Sequence, residues 1–182
     1  MKKSLPKPKE PFVFPPGPAM VPIKKLKSAK LFREECDRLS GKVVHSCIHG
    51  SSAKFSATPP TAPMLIETIK TGFVIEELEI LRASLDLPMD RLVPILGISK
   101  ATLHRRKATG RLDPAESERV LRFARLMGKA IEVLETEENA RSWLSSPQVG
   151  LGGAVPLEYA GTEVGAREVE DLLGRIAYGV YS

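Results

Sequence analysis

The run Asp113-Pro114-Ala115-Glu116 constrains the fold of this chain more than any other feature. An aspartate that can cap, a proline at the first helical position and a glutamate at the third together mark a helix start. Behind them Val120, Leu121, Phe123, Ala124, Met127, Ala130, Ile131 and Leu134 recur at helical steps, so the helix runs to about Glu135. A long helix with one apolar face is stable in water only when that face is covered.

The neighbouring segments supply the cover as further helices. Val74, Ile75, Leu78 and Leu81 predict a helix over 73–85. Pro88 stands where the next would start, with Leu92, Val93, Ile95 and Leu96 as its apolar face and Gly97 as its end; Pro94 would bend it or shift its start. Ser99 caps a third helix over 100–108. Thr136 opens a fifth with Ala140, Trp143 and Leu144, which Ser145-Ser146-Pro147 stops. A glycine-rich loop (Gly150, Gly152, Gly153) leads to a helical turn at 156–160. Thr162 then caps a last helix from Glu163 to about Ala177. No apolar–polar alternation is long enough for a strand, so the expected fold class is all-α.

Upstream the texture differs. Residues 1–23 hold Lys-Pro-Lys-Pro-Lys-Glu-Pro and Phe-Val-Phe-Pro-Pro-Gly-Pro, which read as an extended arm. Residues 24–39 fit one short basic helix. Residues 40–63, rich in Ser, Gly and Pro, read as a linker, so 1–63 is expected to be largely disordered, with a boundary near Met64. Charge follows the same division. Residues 1–70 carry 13 Lys/Arg against 5 Asp/Glu, whereas residues 111–182 carry 8 against 12, a basic front and an acidic back that suit different partners.

The segment 88–110 has the grammar of a helix-turn-helix. The first helix ends at Ile95-Leu96, Gly97-Ile98-Ser99 makes the turn, and a short polar helix follows. Gly97 relieves the strain of a left-handed turn, Ile98 plugs the angle between the helices, and Leu103 points inward. From Lys100 to Arg111 there are five Lys/Arg and no acid. Such a helix suits the DNA major groove: Ser99, Lys100, Thr102 and His104 lie toward its start, with Lys100 and Thr102 assigned to base edges. Arg105, Arg106 and Lys107 are assigned to phosphate, and either arginine can also read guanine. The competing reading is a solvated basic face. For Ser117, Glu118, Arg119, Arg122 and Arg125 on the long helix, a solvated face with a Glu118–Arg122 pair is preferred.

Enzymatic readings find little. Cys36, His45, Cys47 and His49 are the only ligand-type cluster, and their spacing, Cys-x8-His-x-Cys-x-His in a Ser/Gly-rich segment, has no Cys-x2-Cys pair, so no metal and no cofactor are expected. No nucleophile elbow, phosphate loop or dinucleotide fingerprint is present. Two cysteines make no disulfide framework, and no apolar run suits a signal or a membrane span; a cytoplasmic setting is expected.

The C-terminal third is more specific. Arg111-Leu112-Asp113-Pro114-Ala115-Glu116-Ser117-Glu118-Arg119 is followed by Ala140-x2-Trp143-Leu144-x2-Pro147. Then come Leu151-Gly152-Gly153-x2-Pro156-Leu157 and Thr162-Glu163-x-Gly165-Ala166-x2-Val169-x2-Leu172-Leu173-x-Arg175-Ile176-x-Tyr178-Gly179. Over about residues 65–182 this closely resembles the MbcA/ParS/Xre family of type II antitoxins. The resemblance implies a helix-turn-helix DNA-binding and dimerisation domain over 64–135 and a toxin-binding domain over 136–182. The implied partners are a NAD-consuming toxin of the RES or ADP-ribosyltransferase type, operator DNA, and a second copy in a homodimer within a larger toxin–antitoxin complex, with no membrane. Glu163, Arg167, Glu170, Arg175, Tyr178, Gly179, Val180, Tyr181 and Ser182 are the expected toxin-binding residues, an apolar stripe with a charged border and an aromatic tail. Leu173 is expected in the core. The alternative is a free-standing transcription regulator whose C-terminus only dimerises.

Overall fold

The structure is a computed structural model that describes residues 41–49 and 61–180. The expected arm over 1–23 and basic helix over 24–39 lie outside these residues, as do Cys36, Tyr181 and Ser182. Among the described residues every named element is helical: α1 (Val43–His49), α2 (Ala62–Thr71), α3 (Ile75–Leu85), α4 (Met89–Ile95), α5 (Lys100–Thr109), α6 (Pro114–Leu134), α7 (Glu137–Ser145), α8 (Pro156–Tyr159) and α9 (Glu163–Ala177). Only isolated β-bridges, Val74 with Arg111 and Gln148 with Ala154, are added. The all-α expectation holds.

The start signals act as the sequence predicts. Asp113 and Glu116 form a capping box: the Asp113 carboxylate accepts from the Glu116 N–H at 2.7 Å, and the Glu116 carboxylate accepts from the Asp113 N–H at 2.8 Å. Ser99, Thr136 and Thr162 each accept a backbone N–H at the start of α5, α7 and α9. Helix α4 runs through Pro94, which is exposed. In so short a helix only one backbone hydrogen bond is forgone at that ring, so the expected bend is not needed.

Helix α6 is the spine. Val120, Phe123, Ala124, Leu126, Met127 and Ala130 are buried on it, against Phe73, Leu78 and Leu81, Leu92 and Leu96, Ala140 and Leu144, and Val169 and Leu173. These belong to one continuous core cluster that crosses the expected boundary at residue 135. Ser117, expected on a solvated face, is fully buried instead. Its hydroxyl accepts the Phe73 N–H at 2.8 Å and donates to the Asp113 carbonyl at 2.7 Å, which ties the α2–α3 loop to the first turn of α6. Arg122 likewise turns away from the expected Glu118 pair and reaches Glu163 at 3.1 Å.

The linker expected over 40–63 is corrected at residues 43–49. These form α1, whose Val43, Val44 and Ile48 are buried. The physical reason is a buried carboxylate: Glu77 Oε1 accepts the N–H groups of Gly41 and Val43, and Oε2 that of Val44, all at 2.8–2.9 Å. A charge thus caps the helix N-terminus, where free N–H groups and the helix dipole favour an anion. On the other side Gly128 lets α1 touch α6: a Cβ there would overlap the Cys47 carbonyl oxygen.

Candidate functional site

Two surfaces carry the sequence-predicted residues, and they lie on different helices.

The first is α5. Gly97, at φ +63°, makes the turn, and Ile98 is buried beneath it. The exposed residues of α5 include Lys100, Ala101, His104, Arg105, Lys107 and Ala108. Positions 101, 104, 105 and 108 form one stripe at steps of three and four. Ala101 and Ala108 are missed by charge-based reasoning, yet small residues at the centre of such a stripe allow close approach to a duplex and contact with a thymine methyl group. Lys100 pairs with Asp90 and Lys107 with Glu79, each at 3.5 Å between exposed side chains. Pairs of that kind are worth about 0–1 kcal/mol and yield readily to phosphate.

Ser99 and Thr102 have a local task. The Ser99 hydroxyl accepts the Thr102 N–H at 3.1 Å, and the two hydroxyls bond at 2.9 Å. Arg106 corrects the sequence reading more sharply. Its guanidinium Nε donates to Glu116 at 2.7 Å and Nη2 to Asp113 at 2.6 Å. Its side chain is 18% exposed and that of Glu116 is 4% exposed. The Glu116 hydrogen bond pushes the Arg106 pKa further above its ordinary range. Arg106 therefore fastens α5 to the capping box of α6 through its Nε and Nη2 donors.

The second surface is α9 and the turn after it. Gly165 and Ala166 fit closely under α8; a Cβ on Gly165 would overlap the Tyr159 carbonyl oxygen. Val169 and Leu173 are buried, as expected for Leu173. Val164, Arg167, Glu168, Asp171 and Tyr178 share the solvent side, with Tyr178 86% and Val164 72% exposed. Gly179 and Val180 follow Tyr178 and are exposed too. Arg175 is half-buried, while Glu163, Arg167 and Glu170 flank a groove shared with α2 and α6. The expected set is thus split between the two flanks of α9. Val149, 96% exposed on the 3-10 turn Val149–Leu151, was not foreseen; that turn abuts Leu172 of α9 at Gly150.

Of the Cys/His cluster, His45, Cys47 and His49 lie on α1, and Cys36 lies outside the described residues. The His45 and His49 rings lie with centroids 4.5 Å apart, tilted at 47° to each other, and His49 lies 3.7 Å from Glu137. Burial lowers the His49 pKa, helped by His45, and burial raises that of Cys47. Among the described residues no three His, Cys, Asp or Glu side chains gather to hold a metal, and no helix is long and apolar enough to cross a membrane.

Residues 64–125 match the antitoxin Xre-like helix-turn-helix domain, and residues 129–179 match the antitoxin Xre/MbcA/ParS C-terminal toxin-binding domain. An antitoxin Xre of Yersinia enterocolitica is 36% identical over 121 residues, covering 65% of this chain and 82% of that protein. The chain belongs to the Xre/MbcA/ParS antitoxin family. Its role is therefore in a toxin–antitoxin pair, and its C-terminal match implies a cognate toxin as partner. Among other relatives, an antitoxin Xre of Photorhabdus laumondii is 34% identical over 93 residues, covering 50% of this chain and 63% of its own. A Prs ADP-ribosylating antitoxin of a Sphingobium species is 28% identical over 127 residues, covering 64% and 80%.

Proposed function

We propose that this antitoxin neutralises a co-encoded NAD-consuming toxin, of the RES or ADP-ribosyltransferase type, and represses its own operon through α5. The observation that carries the toxin part is the solvent face of α9. An aromatic ring, Tyr178, and an aliphatic side chain, Val164, stand in water beside Arg167, Glu168 and Asp171 within the matched toxin-binding domain. An apolar anchor with a charged border is the usual make-up of a protein-binding patch. The Sphingobium relative's name, Prs ADP-ribosylating antitoxin, supports a toxin of this chemistry. Val180 follows Tyr178, with Tyr181 and Ser182 next in the chain, and Val149 is a further exposed aliphatic side chain on the turn that abuts Leu172.

Residues 64–135 would carry DNA binding and 136–182 toxin binding. On α5, His104 and Arg105 face bases with Ala101 and Ala108 between them, and Lys100 and Lys107 meet phosphate. Arg106 holds the helix at its angle. Binding as a homodimer would present two such helices to two half-sites about 34 Å apart.

A tagged full-length chain recovered from its host tests the whole reading. It should carry a stoichiometric small protein, identified by mass spectrometry, together with DNA of its own promoter. Recovery of the promoter alone would favour a free-standing regulator. Recovery of neither would contradict the proposal.

A further inference from the structure

A groove of about 700 Å³ runs between α2, α6 and α9. Its apolar lining is Leu65, Ile66 and Ile69 from α2, Leu121 from α6 and Ala166 from α9. Ile66 is 53% exposed, a large aliphatic side chain left facing solvent. The charged lining is balanced: Arg122, Arg125 and Arg167 against Glu118, Glu163 and Glu170. Glu163 bridges two of the cations, lying 3.1 Å from Arg122 and 3.3 Å from Arg167.

We propose that this groove receives an amphipathic segment of the cognate toxin, so that toxin binding reaches past the matched C-terminal domain onto α2 and α6. The inference rests on the toxin-binding reading of α9. Three observations carry it. One wall of the groove is α9 itself, within the matched toxin-binding domain, so a protein seated on α9 abuts the groove directly. The lining has equal numbers of carboxylates and guanidiniums, which disfavours a polyanion such as DNA or an anionic small molecule and favours a protein segment bearing both signs. The exposed Ile66 beside Leu65 and Ile69 supplies the dry centre that an interface needs. The fitting segment presents an aliphatic or aromatic side chain to Ile66. It sets a carboxylate toward Arg125 and Arg167 and a cation toward Glu118 and Glu170. The helix-turn-helix half and the toxin-binding half then form one continuous platform.

The test is the affinity of the full-length chain for its toxin, measured by calorimetry with a catalytically inactive toxin variant, for Ile66→Asp and Arg125→Glu. Both positions are solvent-exposed, and operator binding together with the thermal midpoint checks that each variant folds. Each should weaken toxin binding by about tenfold or more, which is the loss expected for a contact at the centre of an interface. Wild-type affinity in both variants overturns the groove while leaving the toxin-binding reading of α9 intact. No binding by the wild-type chain overturns that reading, and the groove with it. If Ile66→Asp instead turns a dimer into a monomer in sedimentation, with toxin affinity per chain unchanged, the groove is the seat of a second copy and the proposal fails.

Discussion

The Arg106 guanidinium and the Glu116 carboxylate meet at 2.7 Å in the crease between α5 and α6. This pair turns a residue that looks like a phosphate contact into the fastening of α5. The two roles separate by salt dependence. Lys107→Ala should lower the slope of log affinity against log salt for operator DNA by about 0.9, the share of one phosphate. Arg106→Ala should leave that slope unchanged, while lowering the thermal midpoint and the preference for operator over unrelated DNA. A reduced slope for Arg106→Ala would return it to the DNA surface.

The Glu77 carboxylate gives a pH dependence of defined sign. Burial raises its pKa above the ordinary 4.5, outweighing the opposing backbone hydrogen bonds from Val44, Val43 and Gly41. The folded state then binds the proton more readily than the unfolded chain. The stability from this linkage is fully present below the unfolded pKa and is lost as pH rises through the higher folded value. Urea midpoints of the wild type, taken relative to Glu77→Gln, should therefore rise as pH falls from about 7 toward about 5. His49 works in the opposite direction, since its pKa is lowered, but it is common to both proteins and cancels in the comparison. A difference that shrinks on acidification would contradict the account of Glu77.

Close approaches at two glycines predict position-specific damage. Gly128→Ala should push α1 off α6, and Gly165→Ala should open the α8–α9 corner, because each new Cβ meets a backbone oxygen that has no room to move. Each should cost about 1–3 kcal/mol in chemical denaturation. Gly165→Ala should also weaken toxin binding, whereas Gly128→Ala should not. Equal effects of both on toxin affinity would mean that α9 is not specially involved.

Ser117→Ala leaves the buried Phe73 N–H without its acceptor. The expected loss is about 1–3 kcal/mol, the desolvation cost of an unpaired buried donor. A loss near zero by urea denaturation would show that the α2–α3 loop does not depend on this bond.

Much of the fold was legible because its signals are local. Asp113, Ser99, Thr136 and Thr162 mark helix starts through side chains that cap within three residues, and the α6 stripe states its own period. What escaped is non-local. Nothing near Val43 announces that Glu77, 34 residues away, will cap α1. Ser117 looks like any polar residue on a helix until the Phe73 N–H arrives. Arg106 illustrates the same limit at the site: its charge is readable, but its partners across the α5–α6 turn are set by tertiary geometry. On α9 the periodicity separates buried Val169 and Leu173 from exposed Tyr178. It is silent on Val149, whose exposure depends on how the glycine-rich turn folds back against Leu172.

The central claim is that α9 and its tail silence a NAD-consuming toxin. The most direct measurement is NAD consumption by the toxin encoded beside this gene, with and without an equimolar amount of the full-length chain. Consumption should fall to background with the wild type and with Arg105→Ala, and should persist with a chain lacking residues 160–182. Undiminished consumption in the presence of the wild-type chain would contradict the account.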